Sequence, residues 1–474
     1  MSQPVNNQGK MSGENPDSIR RASDRVSGGA AAKSWYLSAF EAFEKGLNGE
    51  ASSGIHAIRR AAIARFAALG FPTTHDEEWK YTDVSSLAAV RFRLPSPSGL
   101  DSVTPEQLEP FLFGSSSPNT LVWINGHFSG RHSVLARTPA NGVRVESLAA
   151  AMKSGGAELT AHLGKYASYQ DNAFTALSTA FFQDGALVSV PDGTVLEDPI
   201  HLLFVSSDAG GPMVSHPRNL FLIGRNCQLS ILESHRSLTP GACFTNGVSE
   251  IRLGENSVLE YHQLQDERDL SYHVGMTHAH QERNSNFISH SISLGGSLVR
   301  NNIVAVLDGE GAECTLNGLY LTTGNQHVDN HTLIDHAKPH CNSHELYKGI
   351  LDGTSRGVFN GKIMVRKDAQ KTDAKQTNKN LVLSDGASID TKPQLEIFAS
   401  DVKCTHGATI GQLDEEAVFY LRSRGIGGDH ARDMLIDAFA GDVVDRIKIL
   451  PVRDRLHEII HLRLETGRKT RERK

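Results

Sequence analysis

Near the C-terminal end a thiol and an imidazole stand two positions apart, Cys404 and His406, in the run Lys403-Cys404-Thr405-His406-Gly407-Ala408. If the segment is extended, the side-chain period of two puts both on one face. A thiolate beside an imidazole suits zinc or iron–sulfur chemistry, and equally an activated nucleophile. Two ligands cannot close a tetrahedral site, so a metal reading requires further ligands from elsewhere in the fold or from another chain. A lone Cys-x-His also fits a small inert thiol.

A second cluster, His327, His331, His336, His340, Cys341 and His344, has spacings that resemble metal ligands and would suit a metal-dependent enzyme. No HExxH is present, and histidines on stacked strands also ladder or bond to the backbone. The run His273, His278, His280 and His290 is a weaker candidate, because Gln281-Glu282-Arg283-Asn284 between them reads as an exposed corner. Other chemistries are excluded by missing parts. There is no GxxxxGK[ST] loop to cradle a nucleotide; Phe359-Asn360-Gly361-Lys362-Ile363 has the Gly-Lys pair without the earlier glycine or the following hydroxyl. No GxSxG elbow and no strand-linked GxGxxG occurs. No adjacent Asp-Asp pair supports a pectin-cleaving carboxylate site.

The elements that position these residues are mainly short strands. From about Ala186 to Gly411, strands follow one another across Gly-containing corners such as Ile223-Gly224-Arg225-Asn226, Leu253-Gly254-Glu255-Asn256 and Leu307-Asp308-Gly309-Glu310. Repeated strands without intervening helices fit a solenoid, here a right-handed parallel β-helix, better than an outsized β-sandwich. The reading is a mainly β fold with the β-helix over 119–411, a helical interruption near 157–182, and helical domains over 33–118 and 412–474. Trp35, Leu37, Phe40 and Phe43, then Ile55, Ile58, Ala62, Phe66 and Leu69, mark the first helices. The charged, aromatic run Thr74 to Asp83 is expected to dock them. Beyond Gly411, amphipathic helices are expected to cap the end of the solenoid or receive a partner.

The chain has 474 residues, 39% of them hydrophobic, and a formal net charge of -6. Its pI is near 6.4 and its mean hydropathy -0.31. No domain-scale basic patch points to nucleic acid, and no apolar run is long enough for a membrane span. Arg468 to Lys474 reads as a solvated tail. Five cysteines (Cys227, Cys243, Cys314, Cys341, Cys404) form no CxxC pair, which favours a reducing compartment. Residues 1–32 are polar, contain acids, and lack an apolar core, so they read as a disordered leader on a cytoplasmic protein.

Five stretches then resemble a known family: Val358-Phe359-Asn360-Gly361-Lys362-Ile363, Ala369 to Ala374, Lys392 to Ile397, Asp401 to Thr409, and Phe419-Tyr420-Leu421-Arg422-Ser423-Arg424-Gly425-Ile426. They are similar to the SufB/SufD family, the β-helical subunits of the Suf iron–sulfur cluster assembly machinery. The likeness is most specific over Leu346 to Ile447, looser over Glu78 to Tyr81 and Ala173 to Pro199, and covers the chain from about Phe71 onward. Within the family the chain resembles SufD: SufB members read His-Glu-Ala where this chain has His406-Gly407-Ala408, and Thr377 stands at the match to SufB's scaffold cysteine. The resemblance implies a non-catalytic subunit that pairs with a SufB-like chain on two copies of the SufC-like ATPase. It implies a transient iron–sulfur cluster at the junction, held by His406 with Cys404 beside it and by ligands of the partner. It implies ATPase contact through Phe419, Tyr420, Leu421, Arg422 and Arg424, no nucleotide on this chain, and room for a homodimer when the chain is isolated.

Overall fold

From Arg218 to Gly411 the chain lays down strands that alternate between two sheets, and each pairs in parallel with an earlier strand of its own sheet. Leu229, Leu259, Phe287, Cys314, Ser343, Ala374 and Cys404 stack in one column through seven successive strands. This is a parallel β-helix with two broad walls. Among the described residues, antiparallel pairing occurs only where it begins, at Asn119–Ile124 with His127–Phe128 and Val134–Leu135, and at Arg144–Ser147 with Ala186–Val190. The computed structural model describes residues 16–47, 53–96, 103–113, 119–135, 142–155 and 157–471.

The corners explain the turn texture of the sequence. Asn226, Asn256 and Asn284 hold φ of 54°, 58° and 53°, the left-handed conformation that asparagine tolerates. Their amides stack, Asn256 donating to Asn226 at 3.1 Å and Asn284 to Asn256 at 3.2 Å. His340 (φ 60°) and Lys371 (φ 64°) occupy later corners, so His340 is a turn residue.

Inside, bulky and absent side chains alternate between rungs. A Cβ on Gly318 would lie 2.1 Å from the Tyr347 ring, and one on Gly349 2.5 Å from the Tyr320 ring. Each tyrosine fills the space its neighbour's glycine leaves, which keeps the rungs in register at close-packed density.

Helices Pro16–Lys45, Gly54–Leu69 and Ala173–Phe181 share an aromatic core in which Tyr36, Phe40, Phe66, Phe71, Phe174 and Phe181 meet largely edge to face or tilted. The first helix begins at Pro16, inside the stretch expected to be a disordered leader. Ala30, Ala31 and Ala32 are strong helix formers, and the buried Tyr36 and Phe40 anchor the helix they extend. Residues 1–15 lie outside the described residues.

The C-terminal helices Glu415–Ser423, Gly428–Val444 and Leu450–Arg471 do not close the solenoid's end. Ile436, Ala440, Val443, Ile447, Leu456 and Ile460 instead pack on the outer face of one wall, against Leu232, Leu264, Ile292, Leu319 and Ile350. That face carries apolar side chains in addition to those pointing inward, so covering it stabilises more than capping a single rung would. Among the described residues, no helix is long and apolar enough to cross a membrane.

Candidate functional site

Strand Lys403–Gly411 ends one wall and strand Ser388–Ile397 ends the other. Each pairs with a strand on one side only among the described residues, so two adjacent sheet edges are open. Cys404 and His406 point into the barrel by their register with Ala374 and Gln376, and because this is the last rung their interior face looks out of the open end. Cys404 is half-buried against the cluster of Ile363, Val365, Ala369 and Ala374, whereas His406 is exposed. Burial and the nearby Asp373 carboxylate push the Cys404 thiol up, and the Ala374 amide opposes this only in part. A raised thiol is the reverse of an activated nucleophile. It can still bind a soft metal, which displaces the proton.

Among the described residues, no group of three or more His, Cys, Asp or Glu is placed to hold a metal ion. Cys404 and His406 by themselves could offer at most two ligands, at a strand edge that is unpaired among the described residues.

The histidine cluster is dispersed rather than assembled. His327 and His331 lie on the outside of one wall, where His327 meets the Thr82 hydroxyl at 2.9 Å and His331 meets Asp329 at 3.1 Å and Glu78 at 3.3 Å. His336 points inward and bonds Ser343 at 2.9 Å, while Cys341 is buried and its thiol donates to the Gly309 carbonyl at 3.3 Å. His344 belongs to the other wall. His331 and Thr82 serve the linker: Arg300 donates to the Glu78 carbonyl and stacks on Trp79, and Lys392 pairs with Glu77. His290 is buried and His278 half-buried, both are pushed down to about 4, chiefly by desolvation, and His273 is spent on Glu267 at 2.8 Å. His280 sits 3.6 Å from Asp308.

Helix Glu415–Ser423 follows the terminal strand after three residues and is capped by Asp414, whose carboxylate accepts from the Glu416 and Ala417 amides. Val418 is its buried anchor. Phe419 and Tyr420 are 71% and 56% exposed, which is unusual for aromatics not serving an interface. Arg424 stacks on Tyr420 and donates to its hydroxyl at 3.2 Å; Arg422 is exposed and Leu421 half-buried. Phe419, Tyr420, Leu421 and Arg422 share this one short helix, and Arg424 follows at its C-terminal cap.

The match to known proteins runs nearly the whole length. A family model described as the SufBD core domain of the SUF system for FeS cluster assembly matches residues 204–439, and one for the SufBD N-terminal region matches residues 30–202. The chain belongs to the SufBD family of iron–sulfur cluster assembly proteins. This SufBD chain is 36% identical over 416 residues to an iron–sulfur cluster assembly SufBD family protein of Synechocystis, covering 85% of this chain and 90% of the relative. It is 31% identical over 403 residues to the iron–sulfur cluster assembly protein SufD of Escherichia coli, covering 84% and 90%. It is 28% identical over 425 residues to the chloroplastic protein ABCI7 of Arabidopsis thaliana, covering 87% of each. Within the family it is SufD-like.

Sequence reasoning missed what stands behind His406. In its interior column the preceding rungs carry Gln376 and Glu345, both buried. The available signal was spacing: Glu345, Gln376 and His406 recur at about the solenoid's own repeat.

Proposed function

We propose that this chain is the SufD-type, non-catalytic subunit of an iron–sulfur cluster assembly scaffold, pairing with a SufB-type subunit and driven by a separate SufC-type ATPase. The observation that carries this is the incomplete ligand pair, Cys404 and His406, on the open last rung of both walls. Open strand edges are templates for pairing with another chain. A partner joined there supplies both the missing strand neighbours and the missing ligands. The cluster is then the cargo: a neutral imidazole is an exchangeable ligand, suited to a group meant to leave. Phe419, Tyr420, Leu421, Arg422 and Arg424 form the ATPase contact, and the nucleotide stays on that partner. The setting is the reducing cytoplasm, and isolated chains pair edge to edge as homodimers.

The test is co-expression with SufB-type and SufC-type chains followed by anaerobic purification. Co-purification with a brown chromophore, lost in His406→Ala, is the expected result. A complex that forms normally and whose iron and sulfide content is indifferent to His406 would sink the reading.

A further inference from the structure

Gln376 and Glu345 form a pair that the solenoid does not need for packing. Glu345 is 3% exposed and Gln376 2%, and the preceding rung fills the same column with Leu316. Gln376 Nε2 donates to Glu345 Oε2 at 2.6 Å, which directs the amide's other end, Oε1, away from the carboxyl. That oxygen is buried and has no hydrogen-bond partner among the described residues. The opposite wall makes way for the amide: a Cβ on Gly361 would lie 2.3 Å from Gln376 Nε2. No Lys, Arg or His forms an ion pair with Glu345 among the described residues, and burial pushes its carboxyl up to about 7. A buried carboxyl bonded to a buried amide with a vacant acceptor is costly to keep, and such groups call for a reason. The next residue in the column is His406.

We propose that Gln376 is the positioning residue of His406: its Oε1 takes the N–H of one imidazole nitrogen, leaving the other to face the open end, while Glu345 holds the amide in the orientation that presents Oε1. The inference rests on the reading of His406 as a cluster ligand. A ligating histidine commonly donates its second ring N–H to a carbonyl or carboxylate, which fixes the tautomer and raises the basicity of the ligating nitrogen. Without Glu345 the amide could turn over and offer N–H groups to an imidazole that must itself donate. The column thus specifies donor and acceptor from the core outward: amide N–H to Glu345, amide oxygen to His406.

The test combines two readouts. In the full-length chain labelled with 15N-histidine, ring nitrogen shifts report the tautomer of His406, assigned by its absence in His406→Ala. The wild type is expected to favour one tautomer roughly five-fold over the ratio in Gln376→Leu, as one net hydrogen bond would set. In the co-purified complex, Gln376→Leu is expected to bind iron on the order of ten-fold more weakly. The exchange Glu345→Gln with Gln376→Glu keeps the internal bond and an oxygen toward His406, so it is expected to restore both. A wild-type tautomer ratio in a folded Gln376→Leu chain overturns the proposal, and so does failure of the exchange to restore the ratio. Full cluster content in His406→Ala would instead overturn the ligand reading itself, and the proposal with it.

Discussion

Arg300 Nη1 donates to Asp329 Oδ2 at 2.6 Å across adjacent rungs, with both side chains sealed from solvent. The same guanidinium donates to the Glu78 carbonyl at 2.9 Å and lies 4.3 Å from the Trp79 ring centre, while the Thr82 hydroxyl donates to the same Asp329 oxygen at 2.5 Å. One ion pair therefore fastens the linker, and the helices before it, to the solenoid. Arg300→Met leaves a buried carboxylate without its cation and is expected to cost about 3–5 kcal/mol. Burial alone would raise Asp329, but Arg300 and then His331 outweigh it and hold it well below the usual carboxylate range. A depressed carboxyl stabilises the fold above its unfolded value of about 4, and that contribution fades only as pH falls through the lower folded value. Urea unfolding should thus show a parent that loses little stability between neutral pH and pH 4, and an Arg300→Met deficit that shrinks over the same window, because burial without the cation raises Asp329 and the variant's carboxyl takes up a proton. A deficit unchanged at pH 4 would refute the role of Arg300 as the cation of this carboxylate.

Glu345 has the opposite sign. Its folded value of about 7 lies above the unfolded value of about 4.3, so the folded chain retains a proton that the unfolded chain releases. Glu345 is neutral in its effect below pH 4 and its cost grows as pH rises to 7, reaching on the order of 3 kcal/mol. Glu345→Gln is expected to raise the thermal midpoint at pH 8 and to leave it unchanged near pH 4. Equal stabilisation at both pH values would mean that the carboxyl is solvated.

The solenoid was legible because its corners repeat: Asn226 and Asn256 hold the left-handed conformation, and a Cβ on Gly224 or Gly254 would lie 2.6 Å from the backbone of the neighbouring coil. Cys404 and His406 were legible because a period of two follows from the strand alone. The destination of the C-terminal helices was not. Amphipathicity states that Ile436, Ala440 and Val443 face something apolar, but not which of two apolar surfaces receives them. The available hint was the unbroken run Leu319-Tyr320-Leu321, which marks a strand buried on both faces and hence a covered wall. Gln376 and Glu345 were missed for a different reason: in one dimension they lie far from His406, and only their spacing at the solenoid's repeat hints that the coil brings them into its column.

That placement decides how the proposed ATPase contact can be tested. Removing everything after Gly411 would expose Leu232, Leu264, Ile292 and Leu319, and free the Lys348 ammonium from Asp442 and the Phe439 carbonyl, so the truncated chain is expected to aggregate. Point changes on the exposed helix avoid this. Phe419→Ala with Arg422→Glu is expected to leave the thermal midpoint within about 0.5 kcal/mol of the parent, as surface changes do. Pull-down of the SufC-type chain should nonetheless fall at least ten-fold. Undiminished pull-down would move the contact elsewhere on these helices.

On the proposed reading His406 serves chemistry and His336 packing, and paired variants separate the two roles. His406 is exposed on the last rung, so His406→Ala is expected to leave stability and complex formation intact while cluster iron and sulfide fall. Cys404→Ser should be milder, because the thiol is half-buried and pushed up, and serine nearly matches its shape though not its affinity for iron. His336 is buried, bonds Ser343, and is pushed down to about 4 by desolvation, so it is neutral and structural. His336→Ala is expected to lose about 2–4 kcal/mol through a cavity and a stranded hydroxyl, with iron per folded complex unchanged. Anaerobic iron and sulfide analysis beside thermal unfolding decides the matter. Full cluster content in His406→Ala together with loss in a folded His336→Ala would place the ligand inside the solenoid rather than at its open end.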